Sequence, residues 1–131
     1  GHAWGVLKKF GEISKWHPSI VESSIEDNQP DGLVGCIRKL TLADGAIVRE
    51  RLMSMDDLNL TLSYCFEQAP LPLDNYVATV KLVALTGQSK TSIKWSAGFD
   101  LQDPNIAEHY QELIRNLIVD GHNGLKSFLA R

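Results

Sequence analysis

The apolar positions of this chain change period near its end. From residue 103 to 131 they recur at helical spacing: Tyr110, Leu113, Leu117, Leu125 and Phe128, with Ile114, Ile118 and Leu129 beside them, share one broad face. Glu108, Glu112, Arg115, Asp120 and Lys126 fall on the opposite face. Asp103 is a good N-cap, and Pro104 suits the first helical position because the N–H it lacks would be unpaired there anyway. The pattern predicts one helix over about 104–130, roughly 40 Å long at ~1.5 Å per residue. Gly121 and Gly124 lie inside it, each costing roughly 1 kcal/mol against Ala. They mark either a loosened turn or a thin spot where a backbone or a ligand comes close.

Before residue 103 the period is mostly two. Residues 20–27, 34–42, 46–55, 60–67, 75–85 and 91–101 read as six strands. Asp44-Gly45 is a strong hairpin signal; turns are also expected at Asn28 to Gly32, at Asp56 to Asn59 and at Gly87-Gln88, and 68–73 is a loop with two prolines. Two short helical pieces come first. Residues 3–10 turn Trp4, Leu7 and Phe10 inward and end at Gly11, and 13–19 hold Trp16-His17-Pro18 in a second tight turn. Short connections make an antiparallel meander, since parallel neighbours need crossovers. The expected class is α+β: an antiparallel sheet of six strands with the long C-terminal helix across one face.

Alternation then assigns the inner face. It holds Cys36, Arg38, Leu40 and Leu42; Val48, Glu50 and Leu52; Leu62, Tyr64 and Phe66; Tyr76, Ala78, Val80 and Leu82; and Ile93, Trp95, Ala97 and Phe99. Arg49, Arg51 and Met53 point the other way. An acid, a guanidinium and two phenols on an apolar face are costly unless paired. Arg38 and Glu50 sit at similar distances from the Asp44-Gly45 turn, so they are expected as cross-strand neighbours. They are either a buried ion pair that fixes register or a polar anchor inside a ligand cavity.

Composition and charge narrow the functions. A chain of 131 residues with 44% hydrophobic and 22% charged residues is expected to be one domain over 1–131, with Gly1-His2 a cleavage scar. A formal charge of −3 with scattered Lys and Arg argues against nucleic acid. No apolar run reaches the roughly 18 residues of a membrane span and no signal peptide is visible. Cys36 and Cys65 fall on strands that are not adjacent, so two free thiols and a cytoplasmic setting are expected. There is no HxxxH, no CxxC and no paired acidic cluster, hence no metal site; no glycine-rich loop opens a helix, and no cofactor is expected. No nucleophile motif is present.

Taken in order, AWGVLKKFGEISKWHPSI, GCIRKLTLADGAIVRERLMSMDD and PLPLDNYVATV resemble the START-like helix-grip superfamily. It includes the polyketide cyclase/dehydrase and lipid-transport family, birch-pollen-allergen-like proteins and plant abscisic-acid receptors. The resemblance covers nearly the whole chain and implies a seven-stranded antiparallel sheet gripping a long C-terminal helix, with an apolar cavity between. His17 resembles the receptor position of a ligand-binding lysine. Glu50 and Tyr76 resemble a ligand-facing acid and tyrosine, and Tyr64 and Leu73 apolar pocket positions. Ala43 to Ala46 stand where the receptors have a gate, and Pro70-Leu71-Pro72 where they have a latch. Histidine in place of lysine, and a shorter gate turn without Leu-Pro, argue against a hormone receptor. Relatives usually open with a further strand between the first and last strands present here. Its lack leads one to expect two unsatisfied sheet edges, and pairing with a second copy across a two-fold axis is one outcome.

These readings converge on binding or carriage of a small hydrophobic or amphipathic molecule. The expected cavity residues are His17, Arg38, Leu40, Glu50, Tyr64, Phe66, Leu73, Tyr76, Trp95, Leu117 and Gly121. The alternative is a polyketide cyclase or aromatase-like enzyme, with Glu50 or His17 as base and Tyr64 or Tyr76 as oxyanion donor. A third reading is a regulator that binds a protein partner through the turns at the cavity mouth.

Overall fold

A computed structural model describes residues 2–85 and 91–131. Helix α1 (His2–Leu7) and a 3-10 segment (Phe10–Lys15) lead into strand β1 (Ile20–Ile25). After a 3-10 turn (Glu26–Asn28) come β2 (Ile37–Leu42), β3 (Ile47–Asp56), β4 (Thr61–Gln68), β5 (Leu73–Ala84) and β6 (Thr91–Leu101). A 3-10 turn (Pro104–Ile106) then opens helix α2 (Ala107–Leu129). All strand pairs are antiparallel and the order is β1-β2-β3-β4-β5-β6, as the short connections require. The turn expected at Gly87-Gln88 lies outside the described residues.

Helix α2 lies on the inner face of the sheet. Its Ile114, Gly121 and Leu125 are buried, and they join Leu52, Leu62, Tyr64, Ala78 and Val80 in a core closed at one end by Trp4, Leu7, Phe10 and Ile13. The start of α2 follows its sequence signal. The Asp103 carboxylate accepts a bond from the Asn105 N–H at 3.0 Å, and Pro104 follows the cap. Both glycines stay inside the helix without breaking it. Asp120 departs from the expected exposed face. It is half-buried and accepts a bond from the Ser19 hydroxyl at 3.3 Å, because this part of α2 presses against the segment around Trp16.

Several boundaries move for local reasons. Strand β1 stops at Ile25 rather than running to 27, because Asp27 and Asn28 take left-handed backbone angles. Strand β2 begins at Ile37 rather than at 34. The preceding chain turns at Gly35 (φ 96°), where Cys36 N–H bonds Leu33 O and Val34 is left exposed. Helix α1 ends at Leu7, short of residue 10, and the second helical piece is a 3-10 segment that starts earlier than 13. Gly11 therefore lies inside that segment rather than ending α1. A side chain there would collide with Ile25. Strand β5 begins at Leu73, two positions before its expected start. A bulge between Asp74 and Val77, with Asn75 at φ 55°, shifts its phase so that Leu73 and Tyr76 are both buried.

Candidate functional site

Between the sheet and α2 lies a mostly apolar cavity of about 370 Å³, near the lower end of the usual range for small-molecule pockets. All six strands contribute to it: Ile20, Arg38, Leu40, Leu42, Val48, Glu50, Tyr64, Phe66, Tyr76 and Trp95 line it from the sheet. Leu113, Leu117 and Ile118 line it from α2, Ile13 and His17 from the N-terminal segment, and Asp44, Ala46, Pro70 and Leu71 from two connecting loops. Of the eleven residues expected from the sequence, nine line this space. Leu73 does not. It is buried one turn of chain beyond Leu71 and pairs with Leu101. Gly121 does not either, because the Trp95 and His17 rings lie between its backbone and the cavity wall.

The polar floor is built on strand register. Arg38 pairs with Glu50 across β2 and β3. Arg38 Nε donates to Glu50 Oε1 at 2.8 Å, and the second guanidinium nitrogen also stands 2.8 Å from that oxygen. A third nitrogen donates to the carbonyl of Phe10 at 3.0 Å, and the guanidinium lies 3.8 Å from the Phe10 ring centroid and 4.6 Å from that of Tyr64. Both side chains are almost fully buried, at 5% and 8% exposure. Burial pushes the Glu50 carboxyl above the ordinary carboxylate range, and the adjacent Arg38 charge opposes that rise.

An aromatic wall stands over this floor. The rings of Phe66 and Tyr76 stack at 3.9 Å with 5° between planes, and Phe99 continues the stack at 6.1 Å. Trp95 Nε1 donates to the Tyr64 hydroxyl at 3.2 Å. Burial raises both phenols well above their usual range, so both keep their protons at neutral pH.

His17 closes the helical end. Its Nε2–H donates to the carbonyl of Leu117 at 2.8 Å, and its Nδ1 accepts from the Ser19 N–H at 3.2 Å. A carbonyl can only accept, so the tautomer is fixed. Burial lowers the imidazole below its ordinary value. The ring is thus neutral with both nitrogens occupied, which leaves it no lone pair with which to act as a base.

The residues missed by sequence reasoning divide by cause. Val48, Leu42, Leu113 and Ile118 were on the correct faces, but alternation does not say how far along a strand or helix an open space extends. Ile20 faces the cavity from the start of β1, and Ile13 from the N-terminal segment, which His17 ties to α2.

Among the described residues no group of His, Cys, Asp and Glu could hold a metal ion, and no helix is long and apolar enough to cross a membrane. Cys36 and Cys65 are both free and buried.

Solved structures of similar shape include the protein XoxI of Bacillus cereus, with a TM-score of 0.81 and 27% identity over 98% of this chain and 86% of that one. A Bacillus thuringiensis protein matches at 0.81 and 26%, over 99% of this chain and 90% of that one. The ginseng major latex-like protein 151 of Panax ginseng shares the fold at 0.66 and 16%, over 94% and 89%. The family model for polyketide cyclase/dehydrase and lipid transport matches residues 2–127. With a sheet gripping a long C-terminal helix, and that match over almost its entire length, this chain has the helix-grip fold and belongs to the polyketide cyclase/dehydrase and lipid transport family.

Proposed function

We propose that this protein binds one small hydrophobic or amphipathic molecule in the cavity between sheet and α2 and holds or carries it. The observation that supports this best is the space of about 370 Å³ between sheet and helix, mostly apolar in its lining, with the paired Arg38 and Glu50 among its few polar groups. That volume suits a compact molecule and is too small for two long acyl chains. Acid–base chemistry has weaker support. His17 is fully engaged, and Arg38 is committed to Glu50 and Phe10. A cyclase-like reaction would have to run on Glu50, Asp44 and the two phenols.

Titration with the neutral fluorophore N-phenyl-1-naphthylamine tests the reading. Wild type should give saturable enhancement at one site. Leu40→Trp, which fills the cavity from β2, should remove it while the fold is retained by circular dichroism. Equal enhancement by both proteins would place binding elsewhere and overturn the proposal.

A further inference from the structure

We infer that the cavity selects molecules whose polar group is a neutral hydrogen-bond donor, such as a phenol or an alicyclic alcohol, over molecules ending in a carboxylate. This rests on the cavity being a binding site and adds what that site reads.

Hydrogen-bonding capacity in the cavity is unevenly committed. Among the described lining residues the only side chains able to carry positive charge are Arg38 and His17. Arg38 directs its nitrogens to Glu50 Oε1 and to the Phe10 carbonyl, and its flat surface lies against two rings. The imidazole of His17 donates to Leu117 and accepts from Ser19. The imidazole therefore has no donor left for an anion, and the Arg38 charge, with three of its five N–H groups so committed, is already met by Glu50.

What remains is of the opposite character. Both Arg38 contacts fall on Oε1 of Glu50, so Oε2 has no hydrogen-bond partner among the described residues. It is not sealed off either: among the described residues the one fully buried side-chain polar atom without a partner is Trp16 Nε1. Oε2 therefore borders the open space that Glu50 lines. The Tyr76 hydroxyl likewise has no partner among the described residues, and the Tyr64 oxygen accepts from Trp95 while its own proton is unassigned. A second carboxylate, Asp44, stands among the lining residues.

A ligand carboxylate would meet a like charge here with no free cation to offset its desolvation. A ligand ammonium would leave water for a carboxylate whose charge is already shared with Arg38. A hydroxyl escapes both costs. It can donate to Glu50 Oε2 and accept from Tyr76 while its apolar body rests against Phe66, Trp95 and Leu117.

Three probes of one shape separate the possibilities at pH 7: 2-naphthol, 2-naphthoate and 2-methylnaphthalene, titrated by calorimetry into wild type, Glu50→Gln and Tyr76→Phe. Wild type should prefer 2-naphthol to 2-naphthoate. Glu50→Gln replaces the free acceptor by an amide, and should shrink that preference by about tenfold, the worth of one hydrogen bond to a charged group. Tyr76→Phe should weaken 2-naphthol by about threefold or more and leave 2-methylnaphthalene unchanged. This second variant decides the matter if Glu50→Gln does not fold. Should 2-methylnaphthalene bind while 2-naphthoate matches 2-naphthol, or should the preference survive both substitutions, the donor inference is overturned and the cavity reading stands. If none of the three binds wild type, both are overturned together.

Discussion

The imidazole of His17 donates a 2.8 Å hydrogen bond to the carbonyl of Leu117, one hundred residues away in the chain. The bond ties the N-terminal segment to the middle of α2, on the carbonyl that by helix spacing also serves the Gly121 N–H. Gly121 makes the approach possible. A Cβ there would stand 2.5 Å from the Trp95 ring and 3.0 Å from His17. One turn on, a Cβ at Gly124 would run into the Trp16 carbonyl and Pro18. The two helical glycines are thus the places where neighbouring groups reach the helix backbone.

Gly121→Ala and Gly124→Ala should therefore both destabilise the protein, although alanine favours an isolated helix by about 1 kcal/mol. Overpacking should outweigh that gain by roughly 1–3 kcal/mol. Gly124→Ala should be the worse, since it meets backbone, whereas the Trp95 ring facing Gly121 can swing. Urea unfolding checks the order; a stability gain at either site would contradict the packing described.

Protonation of His17 should be felt in the pH dependence of stability. Burial holds its folded value below the unfolded one of about 6.5, so between those two values the unfolded chain binds the extra proton. Stability from this group is complete above pH ~6.5 and is lost as pH falls through the depressed folded value. His122, lowered in the same direction by burial, adds a slope of the same sign. Urea midpoints measured from pH 7.5 to 5 should fall in wild type and fall less in His17→Gln. Parallel curves would mean that His17 does not titrate as described.

Removing one member of the buried pair should cost more than removing both. Arg38→Met leaves the Glu50 carboxyl without its partner, which for such pairs costs about 3–5 kcal/mol. Arg38→Met with Glu50→Leu should recover much of the loss. A double variant no more stable than the single one would show that the pair does not act as a unit.

The two thiols should be free and slow to react. Cys36 is buried and its thiol is held above the ordinary range chiefly by that burial. Alkylation without reductant should add two labels in denaturant and none rapidly under native conditions. Finding no labels in denaturant would point to a disulfide.

The fold was legible in the sequence wherever burial imposed a period. Alternation placed Arg38, Glu50, Tyr64, Tyr76 and Trp95 on the inner face, and the Asp44-Gly45 turn set the Arg38–Glu50 register. What alternation cannot carry is a change of phase. Asn75 at positive φ inserts one, and this brings Leu73 inward yet leaves it off the cavity. The bonding of His17 was equally out of reach, because its partner is a backbone carbonyl, which has no signature in sequence.

Methyl-resolved NMR during titration with 2-methylnaphthalene reads out whether a single small-molecule site lies between sheet and α2. Saturable one-to-one shifts are predicted at the methyl groups of Leu40, Val48, Leu117 and Ile118, which line the cavity. Shifts confined to the exposed Leu33, Val34 and Leu58, or none at all, would contradict it.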